Sequence, residues 1–280
     1  MIAALTRRLQ SHSPSRPLRV LGRLSSALSK TLPPYAGAVS LPDGTRLHLD
    51  STSSYETHVL LSGIHQPDVT DWLHAHTPAG AYCLDVGANI GILTVKLAHW
   101  AGASGRVAAF GANPQLIARL EQQIALNQFT NVEIIPYAVY DRQETLTFYI
   151  DTTASKSSLI AERVGDPVQK IAVETVTIDQ FMETANWQRL DVIKIDIEGS
   201  ECRALLGAQH TLARFRPHIL FEYWHANPTG LAEPVFDFLC TQGYQLFPLG
   251  QFTTPFDWRT ASPQVRHSDI IALPETQRLA

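Results

Sequence analysis

From Ala81 onward, apolar strand-like runs alternate with helix-period runs, and this alternation constrains the fold more than any other feature. The strand segments are AYCLDV, RVAAF, VEIIP, LDVIKIDI and PHILFEY, closed by YQLFPL and SDIIAL. ILTVKLAHWA, PQLIARLEQQIALN, SECRALLGA and EPVFDFLCTQ carry helical spacing between them. TLTFYI and KIAVETV add two strands around a polar loop, DTTASKSS. Such a repeat predicts the α/β class: a doubly wound, parallel sheet with helices on both faces. Ligands of these sheets sit at the carboxyl ends of the strands, so chemistry is sought in residues that follow strands.

Ahead of Ala81 the pattern differs. VSLPDGTRLHL reads as a hairpin turning at Asp43-Gly44. Short helices are expected near Tyr55–Ser62 and Pro67–His76, with Pro67 suited to a first turn. Residues 16 to 32 have an amphipathic period: Leu18, Leu21, Leu24, Leu28 and Leu32 share one sector, and Arg16, Arg19, Arg23 and Lys30 another. This segment fits a helix packed on the domain with its basic face in water, a helix that touches a membrane surface or a partner, or an Arg- and Ser-rich targeting peptide. The expected organisation is an extension over 1–36 and one domain over 37–280, with its core at 81–275. The first 42 residues hold six basic residues and no acid; since the whole chain carries −4, the remainder carries −10. An acidic body argues against a nucleic-acid partner, because phosphate binding needs a basic face. Three cysteines, Cys83, Cys202 and Cys240, without close spacing speak for a reducing, cytoplasmic setting and against a disulfide framework or a zinc site.

Three motifs carry chemistry. Asp85-Val86-Gly87-Ala88-Asn89-Ile90-Gly91 lies at a strand-to-helix turn. Gly87 and Gly91 let the backbone approach a ligand closely, and the helix behind them is expected to present unpaired N–H groups to an anion. The spacing is not the three-glycine dinucleotide fingerprint. It suits S-adenosylmethionine, whose amino-acid end carries both charges. In IKIDIEGSE, period two places Lys194 and Asp196 on one face, so a buried Lys194 finds its countercharge in a neighbouring carboxylate, with Asp196 the adjacent one. Asp196 falls at the carboxyl edge. Glu198 and Glu201 stand where a helix dipole favours anions. In LFEYWH, Glu222 ends a strand and His225 follows; either can deprotonate a hydroxyl. No His or Glu spacing marks a zinc site, and a hard cation on Asp196, Glu198 and Glu222 has no further support in the sequence. Ser157 and Ser158 are expected to face the cleft.

Together these residues resemble the FkbM-type family of S-adenosylmethionine-dependent methyltransferases, over about Val39 to Leu273. LDVGANIG, the ANP after the second strand, IKIDIEGSE and PHILFEYW carry the resemblance. It implies a class I methyltransferase (Rossmann-like) fold: a mostly parallel seven-stranded sheet with an antiparallel last strand, preceded by a helix and a β-hairpin. It also implies S-adenosylmethionine as donor and O-methylation of a sugar, glycan or secondary-metabolite hydroxyl. By resemblance, Asp85, Gly87, Ala88, Asn89 and Gly91 lie at the methionine end, Ala138 near the adenine, and Asp196 near the transferred methyl. The chain departs from the family's E-P-N-P after the second strand, reading Gly111-Ala112-Asn113-Pro114, and from its G-x-Y-E-P, reading Gly63-Ile64-His65-Gln66-Pro67.

The first departure matters most. Such strands usually end in an acid that grips a ribose. Losing one or both of its charge-assisted bonds, worth roughly 1.5–3 kcal/mol each and not fully additive, weakens binding by about 10- to 1000-fold. Asn113 is the neighbour placed to compensate. A phosphorylated ribose is disfavoured, because Arg106 lies at the wrong end of the strand. The leading expectation is an O-methyltransferase whose base is Asp196, Glu222 or His225. The competing one is a non-catalytic scaffold that kept the fold and lost the donor.

Overall fold

The computed structural model describes residues 34–151, 157–164, 169–224, 232–250, 255 and 267–275. The amphipathic segment 16–32, most of the loop after Ile150, and His225 lie outside them.

The hairpin pairs β1 (Ala36–Ser40) with β2 (Arg46–Asp50). Two helices follow, α1 (Ser54–Ser62) and α2 (Pro67–His76). Then come β3 (Tyr82–Val86), α3 (Ile92–Ala101), β4 (Arg106–Phe110), α4 (Pro114–Asn127) and β5 (Val132–Ile135). These match the expected segments closely, because each helix has a readable start. Ser53 accepts from Glu56 N and begins α1, while Asn113 accepts from Gln115 N and begins α4, with Pro114 in its first turn.

An added layer follows: β6 (Ala138–Val139), β7 (Thr145–Ile150), the one-turn α5 (Ala161–Val164) and β8 (Gln169–Val176). β8 lies between β6 and β7 in a separate three-stranded sheet. The chain returns through α6 (Ile178–Ala185), β9 (Val192–Ile195), α7 (Glu201–Leu206), α8 (Gln209–Phe215), β10 (His218–Trp224), α9 (Ala232–Thr241), β11 (Tyr244–Pro248) and β12 (His267–Pro274).

The central sheet has the order β11-β12-β10-β9-β3-β4-β5. Neighbours from β10 to β5 are parallel, and β12 runs antiparallel between β10 and β11. This is the seven-stranded sheet with an antiparallel last strand. One apolar layer, including Leu84, Ile193, Phe221 and Phe236, packs below it; another, including Leu73, Leu97, Leu220 and Ile271, packs above. The strand order reverses at β3, so the loops after β3, β4 and β9 open onto one crevice.

The hairpin is seated on α4 by side-chain amides. Gln123 accepts from His48 N and donates to His48 O, both at 2.8 Å. One turn on, Asn127 accepts from Arg46 N at 2.8 Å and donates to Arg46 O at 2.7 Å. Each amide thus pairs with β2 as a further strand would. Arg119 grips Glu56 of α1 with two bonds of 2.6 and 2.7 Å.

Candidate active site

Asp85 of β3 and Lys194 of β9 are register partners on adjacent strands. Asp85 is fully buried; its Oδ2 accepts from Thr94 Oγ1 at 2.6 Å. Lys194 Nζ stands 3.3 Å from Asp85 Oδ1 and donates to Gly87 O at 3.0 Å. No donor is aligned with Oδ1, so this is an electrostatic contact rather than a directed hydrogen bond. Burial works to lower the lysine pKa, but Asp85 and then Asp196 outweigh it and raise it. The expected Lys194–Asp196 pairing is therefore corrected: the nearest countercharge is across the strand pair, not two residues along.

At Gly87 the chain turns with φ +85°, and a Cβ there would stand 1.9 Å from Asp196 O. Only glycine lets the β3 and β9 loops touch. Three amides of this turn are paired within the chain, while the helix behind Gly91 has no side-chain cap. Gly87 N and Ala88 N both donate to Phe110 O, at 3.1 and 2.9 Å, and Ile90 N takes Asn89 Oδ1 at 2.8 Å. The turn itself contributes close approach. Gly87, Ala88 and Asn89 line a cavity of about 390 Å³. Asp85 and Gly91 stand behind it: Asp85 holds Lys194, and Gly91 begins α3.

Four residues of the lead-in also line this cavity: Ser54, Tyr55, His65 and Gln66. Tyr55 and His65 meet edge-to-face at 4.7 Å. Burial, with Lys194 and His58 adding to it, drives the His65 pKa down to about 3, so the imidazole is neutral at physiological pH. Tyr137, Phe148 and Leu159 give an apolar wall, and Ala138 lies within it. At the end of β4 the lining residues are Gly111, Ala112 and Asn113. A Cβ on Gly111 would meet only Ile117 Cγ1, at 3.8 Å, an ordinary contact.

The opposite edge is acidic. Asp196 lines the cavity just past β9, and no described residue donates a hydrogen bond to its carboxylate. Glu222, near the end of β10, is raised to about 8 by burial and then by Asp196, Glu198 and Glu201. Its register partner Asp269 is raised to about 6 by burial and Asp196. Glu201 reaches about 7 through burial, although it accepts from Ile197 N and Gly199 N. Glu201 thus caps the turn into α7. Glu198 does not share that role; it sits at φ +56° and binds Arg163 at 2.6 Å. Arg163 also reaches Glu222 at 3.1 Å.

Oxygens of Asp196, Glu201 and Glu222 lie within 4.8 Å of one another. Backbone amides hold Glu201, and Arg163 is shared between Glu222 and Glu198. Ser157 lines the cavity, but Ser158 corrects the expectation for it: it is buried and donates to Glu198 O at 2.7 Å. Arg163 was missed by sequence reasoning. Its partners lie 35 and 59 residues away, and no local spacing links them.

With this geometry in place, comparison with known proteins is decisive for the family. A family model described as the methyltransferase FkbM domain matches residues 85–246, more than half of the chain. The chain belongs to the FkbM methyltransferase family. With that membership goes S-adenosylmethionine as cofactor. The cavity fits such a group: a loop pinched by Gly87, an apolar wall for a flat ring, and a charged edge. A curated relative, the AMB antimetabolite synthetase AmbE of Pseudomonas aeruginosa, is 25% identical over 249 residues, covering 74% of this chain and 11% of that protein. The chain thus spans about a ninth of that relative's length.

Among solved structures, the methyltransferase FkbM of Methylobacillus flagellatus superposes with a TM-score of 0.47 at 14% identity, covering 79% of this chain and 54% of that one. An S-adenosylmethionine-dependent O-methyltransferase of Thermotoga maritima gives 0.45 at 12% identity, covering 78% and 68%. A putative rRNA-methylase of Clostridium thermocellum gives 0.45 at 14%, covering 74% and 93%. Among the described residues, no helix is long and apolar enough to cross a membrane.

Proposed function

We propose that this FkbM-family methyltransferase is an O-methyltransferase acting on a hydroxyl of a sugar, glycan or secondary metabolite. The observation that carries the reading is the placement of Asp196: a carboxylate at the carboxyl end of β9, on the cavity wall, beside the Gly87 loop.

S-adenosylmethionine supplies an electrophilic methyl on a sulfonium. Gly87, Ala88 and Asn89 bound the methionine end, and Ala138 the adenine side. Asp196 would accept the proton of the acceptor hydroxyl, whose oxygen would take the methyl that bound S-adenosylmethionine supplies. Lys194, held by Asp85 and Gly87 O, keeps a positive charge near that aspartate. Glu222 lies behind Asp196 and is mostly protonated below about pH 8, so it adds little repulsion there. Most of the acceleration comes from holding the two reactants in line. His225, outside the described residues, remains a candidate at the same strand end.

The acidic body favours a small-molecule or glycan acceptor over nucleic acid. Cys83 and Cys202, both buried free thiols, fit a cytoplasmic setting. Residues 16–32 supply the membrane or partner contact in this reading.

Calorimetric titration with S-adenosylmethionine and S-adenosylhomocysteine tests the cofactor, and a donor-labelled screen over glycans and hydroxylated metabolites tests the acceptor. No binding at millimolar ligand overturns the enzyme. The second reading, a scaffold with weakened cofactor binding, is favoured by Gly111 alone.

A further inference from the structure

The β4 edge of the cavity has the opposite hydrogen-bonding polarity to the one its missing carboxylate would give. Among the described residues, the carboxylates that line the cavity, Asp196 and Glu198, both lie just past β9. Past β4 the lining residues are Gly111, Ala112 and Asn113, none of them acidic.

Asn113 is 2% exposed. Its Oδ1 is committed to the cap of α4, accepting from Gln115 N at 3.0 Å. Its Nδ2 is buried and has no partner. An orphaned buried donor of this kind costs free energy unless something accepts from it. Asn113 lines the cavity at the N-terminal end of a fourteen-residue helix, where the dipole also favours an electron-rich oxygen. Beside it, Gly111 leaves room that a side chain would fill without strain.

We infer that this chain holds the ribose of its cofactor through a donor, Asn113 Nδ2, and so accepts adenosine ligands whose ribose oxygens carry no hydrogen, such as 2′- or 3′-O-methyl ethers. This rests on the S-adenosylmethionine reading and adds a specificity to it. A carboxylate at this edge needs both ribose hydroxyls as donors. An ether oxygen gives it nothing to accept and leaves its charge unpaired. An amide N–H asks only for a lone pair, which an ether oxygen keeps. The space at Gly111 takes the added methyl.

The test uses the whole chain and calorimetric titration with S-adenosylhomocysteine and its 2′-O-methyl and 3′-O-methyl ethers. The wild type is expected to bind at least one ether within about threefold of the parent. Asn113→Ser keeps a good helix cap and loses Nδ2; it is expected to bind the parent and that ether about 3- to 10-fold more weakly. Gly111→Glu is expected to bind the parent more tightly and to reject the ethers by at least about tenfold. Thermal unfolding confirms that both variants are folded. If the wild type rejects both ethers tenfold or more, or if folded Asn113→Ser binds like wild type, the inference fails while the cofactor reading stands. If the folded wild type binds none of the three ligands, both fail.

Discussion

The two ends of the cavity are built on different chemistry. At the β9–β10 edge, Asp196, Glu198, Glu201 and Glu222 crowd together with Arg163 and Lys194 nearby, and three carboxylates of this region, Glu201, Glu222 and Asp269, are raised well above their usual range. At the β4 edge, a glycine, an alanine and a neutral amide do the work. The difference follows where charge moves. Under the proposed function, a proton and a sulfonium charge would be redistributed at the first edge, and fixed charges acting in a poorly solvated site are most effective there. The second edge would then have only a neutral sugar to hold. Neutral hydrogen bonds suffice for that, at lower affinity.

This contrast can be broken at several points. The largest effect is expected at the charged end. Asp196→Asn should lower kcat by about 10²- to 10⁴-fold while S-adenosylhomocysteine binding stays within about threefold of wild type. An unchanged kcat would remove Asp196 from the role of base. At the neutral end, Gly111→Glu restores a charge-assisted bond and should tighten S-adenosylhomocysteine binding by about 10- to 100-fold in calorimetry. Unchanged affinity would mean that Gly111 does not face the ribose.

Arg163→Gln tests how the acids are balanced. Removing a cation favours the protonated carboxyl, so the Glu222 pKa should climb above about 8. Carbon-detected NMR titration of labelled glutamate reads this directly, and a downward shift would contradict the pairing. The smallest effect is on stability against pH. Glu222, Glu201 and Asp269 hold their protons more tightly folded than unfolded. The folded state therefore binds more protons between about pH 4.5 and 8, and stability falls as pH rises through that window. Thermal melts should show a decline of a few degrees, flattened near pH 8 in Glu222→Gln. A melting temperature that rises from pH 5 to 8 would count against the raised pKa values.

Most of the sheet was legible because its strands are short, apolar and punctuated by helices with polar or proline starts. The hairpin was legible from Asp43-Gly44 and the alternating apolar residues on either side of it. Besides the one-turn α5, two helices were not read. The first, α6, carries a full capping box between Thr177 and Gln180 that the strand-like run before it obscured. The second, α8, begins at Ala208 without a side-chain cap, so nothing in the sequence marks its start.

The site divides the same way. Asp196, Gly87 and the glycine at 111 could be placed, because they follow strands directly. The pairing of Lys194 with Asp85 could not, since it depends on which strands become neighbours. Period two shows which residues share a face, and register decides which of them meet.

The amides of Gln123 and Asn127 have a consequence for how occupancy could be sensed. They stitch the free edge of the hairpin to α4, the same helix whose first residue is preceded by Asn113. The lead-in and the cofactor edge therefore belong to one girder, and α1, whose Tyr55 roofs the cavity, is bolted to it through Glu56 and Arg119. The N–H groups of Arg46 and His48, in the hairpin rather than on the cavity wall, become reporters of whether the cavity is filled.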